Sequence, residues 1–168
     1  GDLTLTSGAT LDLAGRTLPF NDINQYSWGG DVALYSRDGN IRQAAGSRID
    51  LSAQNNQAGN LSVVALSDTA GEVDLQGEIR GSSTGHYDAG GTWVPYKSAG
   101  VDIRAQHLNG DASQQFAALN QRLNAGQVFG TAHAAEGYGL PDQPLLFTGG
   151  AVFIFRKQRI HAVPVLAI

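Results

Sequence analysis

The sequence predicts an all-β fold, a parallel β-helix (solenoid) with one short α-helix and a C-terminal tail outside the repeat. Two short phrases recur along the chain, and repeats at a fixed period of about 20–50 residues are typical of solenoids, propellers and arrays. The chain also has 22 glycines and only 15% charged residues. That composition fits many tight turns and little exposed helix.

The first phrase is a glycine, usually followed by Asp or Asn, and then alternating apolar and polar residues. It begins at Gly1, Gly30 and Gly59, which are 29 residues apart, and a weaker copy begins at Gly100. This alternation predicts a half-buried strand that is entered through a turn. If segments one period apart lie side by side, residues 3–5 pair in parallel with residues 32–34.

The second phrase places an aspartate between two branched aliphatic residues, around Asp12, Asp50, Asp74 and Asp102. Because side chains alternate along a strand, the aliphatic residues face the core and the aspartates face outwards. Aspartates stacked in one column would repel each other, and calcium could relieve that repulsion. The uneven spacing favours aspartates on different sides and a solvated outer face. We therefore predict no metal site, and these four residues are the weak candidates.

The strands follow in order, with loops of unequal length between them, and three short strands per turn of chain fit a triangular coil. Residues 19–29 are predicted to form a polar, aromatic loop, and residues 38–40 a turn. Residues 81–99 form an inserted loop of a length that is usually functional or mobile. The predicted strands lie at 3–5, 11–13, 32–34, 41, 49–51, 61–66, 73–75, 79 and 101–105.

The coils are expected to occupy residues 1–110, and residues 111–126 change to a helical period. The helix signals are an apolar row, a capping box and a closing glycine, formed by Phe116, Leu119 and Leu123, by Asp111 with Gln114, and by Gly126. Residues 127–168 do not carry the repeat. They include an apolar strand at 151–155, a basic cluster at 156–159 and an apolar end at 160–168. This tail is a cap, a separate module, or sequence foreign to the repeat.

Composition excludes several classes of function. The net charge of −4 and the pI near 5.4 differ from the basic, clustered charge of nucleic-acid-binding proteins. The chain has no cysteine, so it has no disulfide framework and no thiolate metal site, and we predict no cofactor. It has no methionine, which indicates a mature product or an excised piece. No apolar run is long enough to predict a membrane span.

Three segments together resemble a known family. Residues 1–5 (GDLTL), 46–53 (GSRIDLSA) and 59–65 (GNLSVVA) look like the repeat region of filamentous haemagglutinin-type exoproteins, the two-partner secretion adhesins of bacteria. The resemblance covers about residues 1–108. It implies a right-handed parallel β-helix, export through an outer-membrane transporter, and a secreted or cell-surface virulence factor. It also implies a partner on a host or neighbouring cell, either a receptor or a glycan.

The predicted ligand-binding residues are aromatic side chains in the two loops. Such rings can anchor a partner or stack on a sugar. The alternative is that they fold back and cover the apolar side of the coil. The candidates are Tyr26, Trp28, Tyr87, Trp93 and Tyr96.

We predict a non-enzymatic, structural and adhesive segment without catalytic residues, and two other functions remain alternatives. One is a carbohydrate-active β-helix enzyme, a polysaccharide lyase or hydrolase, which would need paired carboxylates. Glu72, Asp74 and Glu78 are close in sequence, with Arg80 nearby. The other is the stalk of a contact-dependent toxin-delivery protein. The four histidines lack metal-ligand spacing.

Overall fold

A computed structural model describes residues 1–106, 112–128, 151–156 and 159–164 of the chain. The described part is all-β with one α-helix. Its elements, in chain order, are β1 Leu3–Leu5, β2 Thr10–Asp12, β3 Thr17–Phe20, β4 Ile23–Tyr26, β5 Val32–Ser36, β6 Ile41–Gln43, β7 Arg48–Asp50, β8 Ala53–Gln54, β9 Asn60–Ala65, β10 Val73–Leu75, β11 Glu78–Arg80, β12 Ser83–Thr84, β13 His86–Tyr87, β14 Trp93–Val94, β15 Gly100–Ala105, α1 Ala112–Ala125, β16 Ala151–Arg156 and β17 Arg159–Pro164.

Nine of these strands form three parallel arrangements, each with one strand from every pass of the chain. Pass one supplies β1, β2 and β5, pass two supplies β6, β7 and β9, and pass three supplies β10, β11 and β15. The first sheet has the order β1-β6-β10, the second has β2-β7-β11, and the third contains β5-β9-β15. In all three, the strand of pass two lies between those of passes one and three.

The pairing corrects the predicted register of the first repeat. Leu3 pairs with Ile41, which is 38 residues away, whereas Val32 pairs with Leu61 and Leu61 with Val101. Gly30 therefore aligns with Gly59, whereas Gly100 is shifted by one residue and pairs with Asn60. The copy at Gly1 does not align with Gly30. Its equivalents are the Gly-Asn and Gly-Glu steps before Ile41 and Val73, because passes one and two each carry the phrase at two different corners.

The Asx residue of the phrase forms side-chain hydrogen bonds between passes. Asp2 Oδ1 accepts hydrogen bonds from the backbone N and the Nδ2 of Asn40, at 2.8 and 3.2 Å. Asn40 Oδ1 in turn accepts a hydrogen bond from the backbone N of Glu72 at 3.0 Å. These bonds satisfy the backbone donors just before β6 and β10 in the first sheet.

The third sheet begins with the same arrangement. The Oδ1 of Asp31 accepts hydrogen bonds from the backbone N and the Nδ2 of Asn60, at 2.8 and 3.3 Å. The Oδ1 of Asn60 accepts a hydrogen bond from the backbone N of Gly100 at 3.2 Å. We call these two sets of bonds the Asx ladders. They explain why Asp or Asn follows the glycine.

The apolar core lies between the three sheets. Ile49 of pass two is fully buried and has Leu11 and Ile79 as its register partners. Asp50, next to it, is partly exposed, as the alternation predicts. The core also contains one amide: Gln43 is 1% exposed, and its Nε2 donates to the carbonyl of Glu78 at 3.1 Å.

Two β-hairpins project from the parallel strands. The first, β3–β4, corrects the predicted loop at 19–29: its strands are antiparallel and pair Phe20 with Ile23. Asn21 in its turn has a φ of 52°, a left-handed conformation that Asn adopts readily. The second, β13–β14, lies within the predicted insertion at 81–99, where residues 83–84 still pair in parallel with β8.

The C-terminal elements cover the side of pass three that faces away from pass two. Leu123 of α1 and Val128 after it are buried in the core. The backbone N of Gly81 donates to the carbonyl of Gly126 at 2.8 Å, and β17 pairs antiparallel with β15.

The predicted cap residue Asp111 and tail segments 129–150 and 165–168 lie outside the described residues. Within the described part, no helix is long and apolar enough to cross a membrane.

Candidate functional site

Both hairpins leave the parallel strands at the same corner. The first follows Arg16 and the second begins just after Thr84, and both positions are equivalent to Gln54 of pass two, since Ala53 pairs with Ser83 and lies against Gly15. Pass two has no insertion there. We call residues 15–29, 53–58 and 83–98 the hairpin corner.

The three passes leave the corner in register. The backbone N of Gly29 donates to the carbonyl of Gln57 at 2.8 Å, and that of Ala58 donates to the carbonyl of Lys97 at 3.1 Å. Together with the register of the third sheet, these bonds align Trp28, Gln57 and Lys97 in one column across the passes. All three side chains are exposed, and Trp28 is 72% exposed. We call them the exposed column.

The pass-two part of the corner ties its neighbours together. Asn56 donates from Nδ2 to the backbone carbonyl of Tyr26 at 2.8 Å. The backbone carbonyl of Asn56 accepts a hydrogen bond from Ser83 Oγ at 3.0 Å. The backbone N of Asn55 donates to Thr84 Oγ1 at 3.2 Å. The corner is therefore held by bonds from pass two to both of the passes that carry hairpins.

The second hairpin is packed by its own aromatic rings. Tyr87 and Trp93 meet edge to face with centroids 4.9 Å apart, and His86 stacks on Tyr96 at 5.8 Å. Trp93 lies over Gly85, where an added Cβ would come within 2.7 Å of the indole. Trp93 and Tyr96 are only partly exposed, so these rings stabilise the hairpin as well as presenting a surface.

The first hairpin presents apolar side chains that the sequence analysis missed. Leu18, Phe20 and Ile23 are 55%, 62% and 70% exposed. Leu18 and Phe20 are two residues apart and Ile23 is opposite Phe20, so all three share one face. The base of the hairpin is closed by Ser27, whose backbone N donates to the carbonyl of Arg16 at 2.9 Å. The alternation in residues 17–26 around Asn21-Asp22 was the available signal.

The structure brings the five predicted aromatic residues to this one corner. Tyr26 and Trp28 come from pass one, and Tyr87, Trp93 and Tyr96 come from pass three. Trp28 does not fold back over the core. Sequence reasoning missed Gln57 and Lys97, each of which lies four residues before the first paired core residue of its strand. Alignment of residues 28, 57 and 97 on that basis would have found them.

The four candidate metal-binding aspartates are distributed over the three sheets. Asp12 and Asp50 are register partners in the second sheet, where the third position is Arg80. Asp74 is opposite Arg42 in the first sheet, and Asp102 belongs to the third sheet. Among the described residues, no group of three or more His, Asp or Glu side chains is arranged to hold a metal ion.

Asp12 has a partner within the protein. Its Oδ2 accepts a hydrogen bond from Arg16 at 2.8 Å. The guanidinium of Arg16, followed by the backbone N–H of Ala14, lowers the pKa of Asp12 below the ordinary aspartate value.

Glu72 and Glu78, two of the carboxylates considered for catalysis, lie at different sheets, and each contacts an arginine. Glu78 lies on the second sheet, where it pairs with Arg80 and, at 3.1 Å, with Arg48. Hydrogen bonds from Arg80 and then Arg48 lower the pKa of Glu78, against an opposing effect of burial. A glycosidase acid needs a raised pKa. Glu72 contacts Arg42 beside the first sheet, at 3.7 Å.

Comparison with known proteins gives no relative from which a function could be transferred. The chain matches no protein-family model, no curated protein sequence and no solved structure at a significant level.

Proposed function

We propose that this chain is a non-enzymatic, adhesive segment of a secreted bacterial surface exoprotein, built as a right-handed parallel β-helix. The observation that carries the proposal is the register, in which each of three passes gives one strand to each of three parallel sheets in the same order. Connections between parallel strands of one sheet are right-handed in about 98% of cases. The GDLTL, GSRIDLSA and GNLSVVA segments, which resemble filamentous haemagglutinin-type exoproteins, support the same fold.

The function follows from the division between core and corner. The stacked passes form a stiff rod with an apolar interior. At one corner of that rod, the two hairpins add exposed aromatic and apolar side chains. Exposed apolar groups clustered in this way are typical of interaction sites. We propose that the corner contacts a receptor or a glycan on a host or neighbouring cell.

The rest of the proposal concerns export and location. A parent protein of the two-partner type would cross the outer membrane through its transporter and remain at the bacterial surface or be released. A chain without cysteine can be exported unfolded without disulfide formation. The acidic net charge of −4 disfavours nucleic acid as the partner.

The test compares the protein with a corner variant that keeps the parallel strands. Residues 17–26 and 85–95 are each replaced by a single Asn, which reproduces the pass-two loop, and Trp28 is changed to Ala. A control variant, Tyr35→Ala, removes an aromatic ring that is 64% exposed on β5, outside the corner. All are immobilised on beads and offered to host and bacterial cells, and folding is checked by circular dichroism.

We expect wild type and Tyr35→Ala to adhere, and the folded corner variant to lose most of its adherence. Equal adherence of the corner variant, or none by the wild type to any cell offered, would overturn the proposal. So would turnover of a uronate-containing polysaccharide, because that outcome would favour the enzyme alternative.

A further inference from the structure

We propose that the exposed column Trp28–Gln57–Lys97 binds an acidic glycan, with a pyranose ring on the Trp28 indole and the carboxylate of a neighbouring sugar at the Lys97 ammonium. This inference rests on the proposed adhesive function and names the ligand class for the same corner.

The geometry of the column suits an extended saccharide. Adjacent paired strands lie ~4.8 Å apart, so Trp28 and Lys97, which belong to passes one and three, are about 10 Å apart along the column. The spacing between adjacent passes is approximately the length of one pyranose unit. A disaccharide laid along the column therefore reaches from the indole to the ammonium and passes Gln57.

Charge distinguishes Lys97 from the other described cations on the outer face. Six arginines form ion pairs with carboxylates, namely Arg16, Arg37, Arg42, Arg48, Arg80 and Arg104. Lys97 forms no ion pair with any residue that the structure describes. In a chain of net charge −4, an exposed ammonium without a counter-ion among the described residues is complementary to a carboxylate ligand.

The remaining groups match the other parts of a sugar. The indole of Trp28 offers an apolar face for the C–H face of a pyranose and an N–H donor at its edge. The exposed amide of Gln57 both donates and accepts, as neighbouring hydroxyl groups require. Asn56 is not available in this way, because its Nδ2 already donates to the carbonyl of Tyr26.

The apolar face of the first hairpin forms a separate surface. Leu18, Phe20 and Ile23 lie on β3 and β4, outside the column, and they provide no polar group for hydroxyls. A protein partner would use that face. The alternation of ring, amide and ammonium along the column favours the saccharide.

The experiment uses matched ligand pairs and the whole chain. The acidic probes are a sialylated trisaccharide and a glucuronate-terminated disaccharide, and their neutral counterparts have the carboxylate reduced to an alcohol. Binding is measured by ¹H–¹⁵N NMR titration for the wild type, Trp28→Ala, Lys97→Gln, Lys97→Arg and the control Tyr35→Ala. The unperturbed part of each spectrum reports that the variant is folded.

We expect at least one acidic probe to bind about tenfold more tightly than its neutral counterpart, the size of one charge-assisted contact. Lys97→Gln should remove that preference and Lys97→Arg should keep it. Trp28→Ala should weaken binding of both members of the pair, while Tyr35→Ala should change nothing. Which probe binds identifies the source of the carboxylate.

Equal binding of acidic and neutral probes, no binding of either, or no effect of Lys97→Gln would overturn the glycan inference. If wild-type beads still adhere to cells through the corner in those cases, the adhesive function stands and the ligand is of another class. If wild-type beads do not adhere, the adhesive function itself has failed.

Discussion

The two ends of the three-pass arrangement differ, although they are built from equivalent residues. At pass three, Ile79 is 1% exposed, because Leu123, Val128 and the backbone of Gly126 lie against that side. At pass one, Leu11 is only partly buried, and β2 is the edge strand of its sheet. An aliphatic side chain at this position therefore contributes more to the free energy of unfolding where it is covered on both sides than where it is covered on one.

The largest expected effect is at the middle of the column Leu11–Ile49–Ile79. Ile49→Asp would place a carboxylate where no solvent reaches, and unpaired buried charges are among the few changes that cost more than about 4–5 kcal/mol. We expect the variant not to fold, as measured by circular dichroism and thermal melting. A cooperative melt near the wild-type temperature would show that the inward-facing assignment is wrong.

Two truncations sharpen the comparison of the ends. Leu123→Ala removes a fully buried side chain that covers pass three, and we expect a loss of about 2–5 kcal/mol in the free energy of unfolding. Leu11→Ala, at the open edge, should cost roughly 1 kcal/mol because the site is already partly hydrated. Denaturant unfolding of both variants gives the difference. Equal losses would mean that the helix does not protect the core.

The Asx ladders supply a smaller test. Asn40→Asp removes the Nδ2 that donates to Asp2 and puts a second carboxylate beside it, so we expect a loss of roughly 1–2 kcal/mol at neutral pH. Asn24→Asp, on the exposed hairpin, is the matched control and should change stability by less than about 0.5 kcal/mol. Acidification should reduce the difference, since protonation removes the repulsion. A pH-independent difference would contradict the ladder.

The smallest expected effect concerns Glu78. Its pKa is lowered in the folded protein, by Arg80 first, so its contribution to stability is present above the ordinary glutamate pKa and is lost as the pH falls through the folded value. The pair is about half exposed and solvent screens it, so Glu78→Gln should cost only about 0.5 kcal/mol at pH 7. Unfolding at neutral and strongly acidic pH checks this. A larger cost at acidic pH would contradict the assignment.

The sequence predicted local features well and long-range register less well. The facing of Ile49 and Asp50 followed from alternation alone, and the helix found at Ala112–Ala125 lies within the predicted 111–126. The predicted partner of Leu3 is wrong because passes one and two each have a Gly-Asx step at two corners. The local phrase does not identify its corner. The sequence predicts a loop at 19–29, where the structure has the hairpin of β3 and β4. This hairpin is an insertion that lengthens the first period.

The candidate site was predicted only in part, because local sequence features identify some of its residues and the long-range register identifies the others. Aromatic residues stand out in a sequence, so Trp28 and Trp93 could be named without coordinates. Gln57 and Lys97 are ordinary surface residues until the register places them beside Trp28. Their role depends on which passes are neighbours, and that is fixed by strand pairing.

The chemistry of Asn40 and Asn60 has a consequence for the length of the molecule. An ionised carboxylate only accepts hydrogen bonds, whereas an amide donates in one direction and accepts in the other. An Asn at the entry to a strand therefore fits an identical Asn above it and below it. We expect that pass two could be duplicated in tandem, because every inserted junction would repeat a bond already present, and the protein could be extended by whole passes without redesign of its ends.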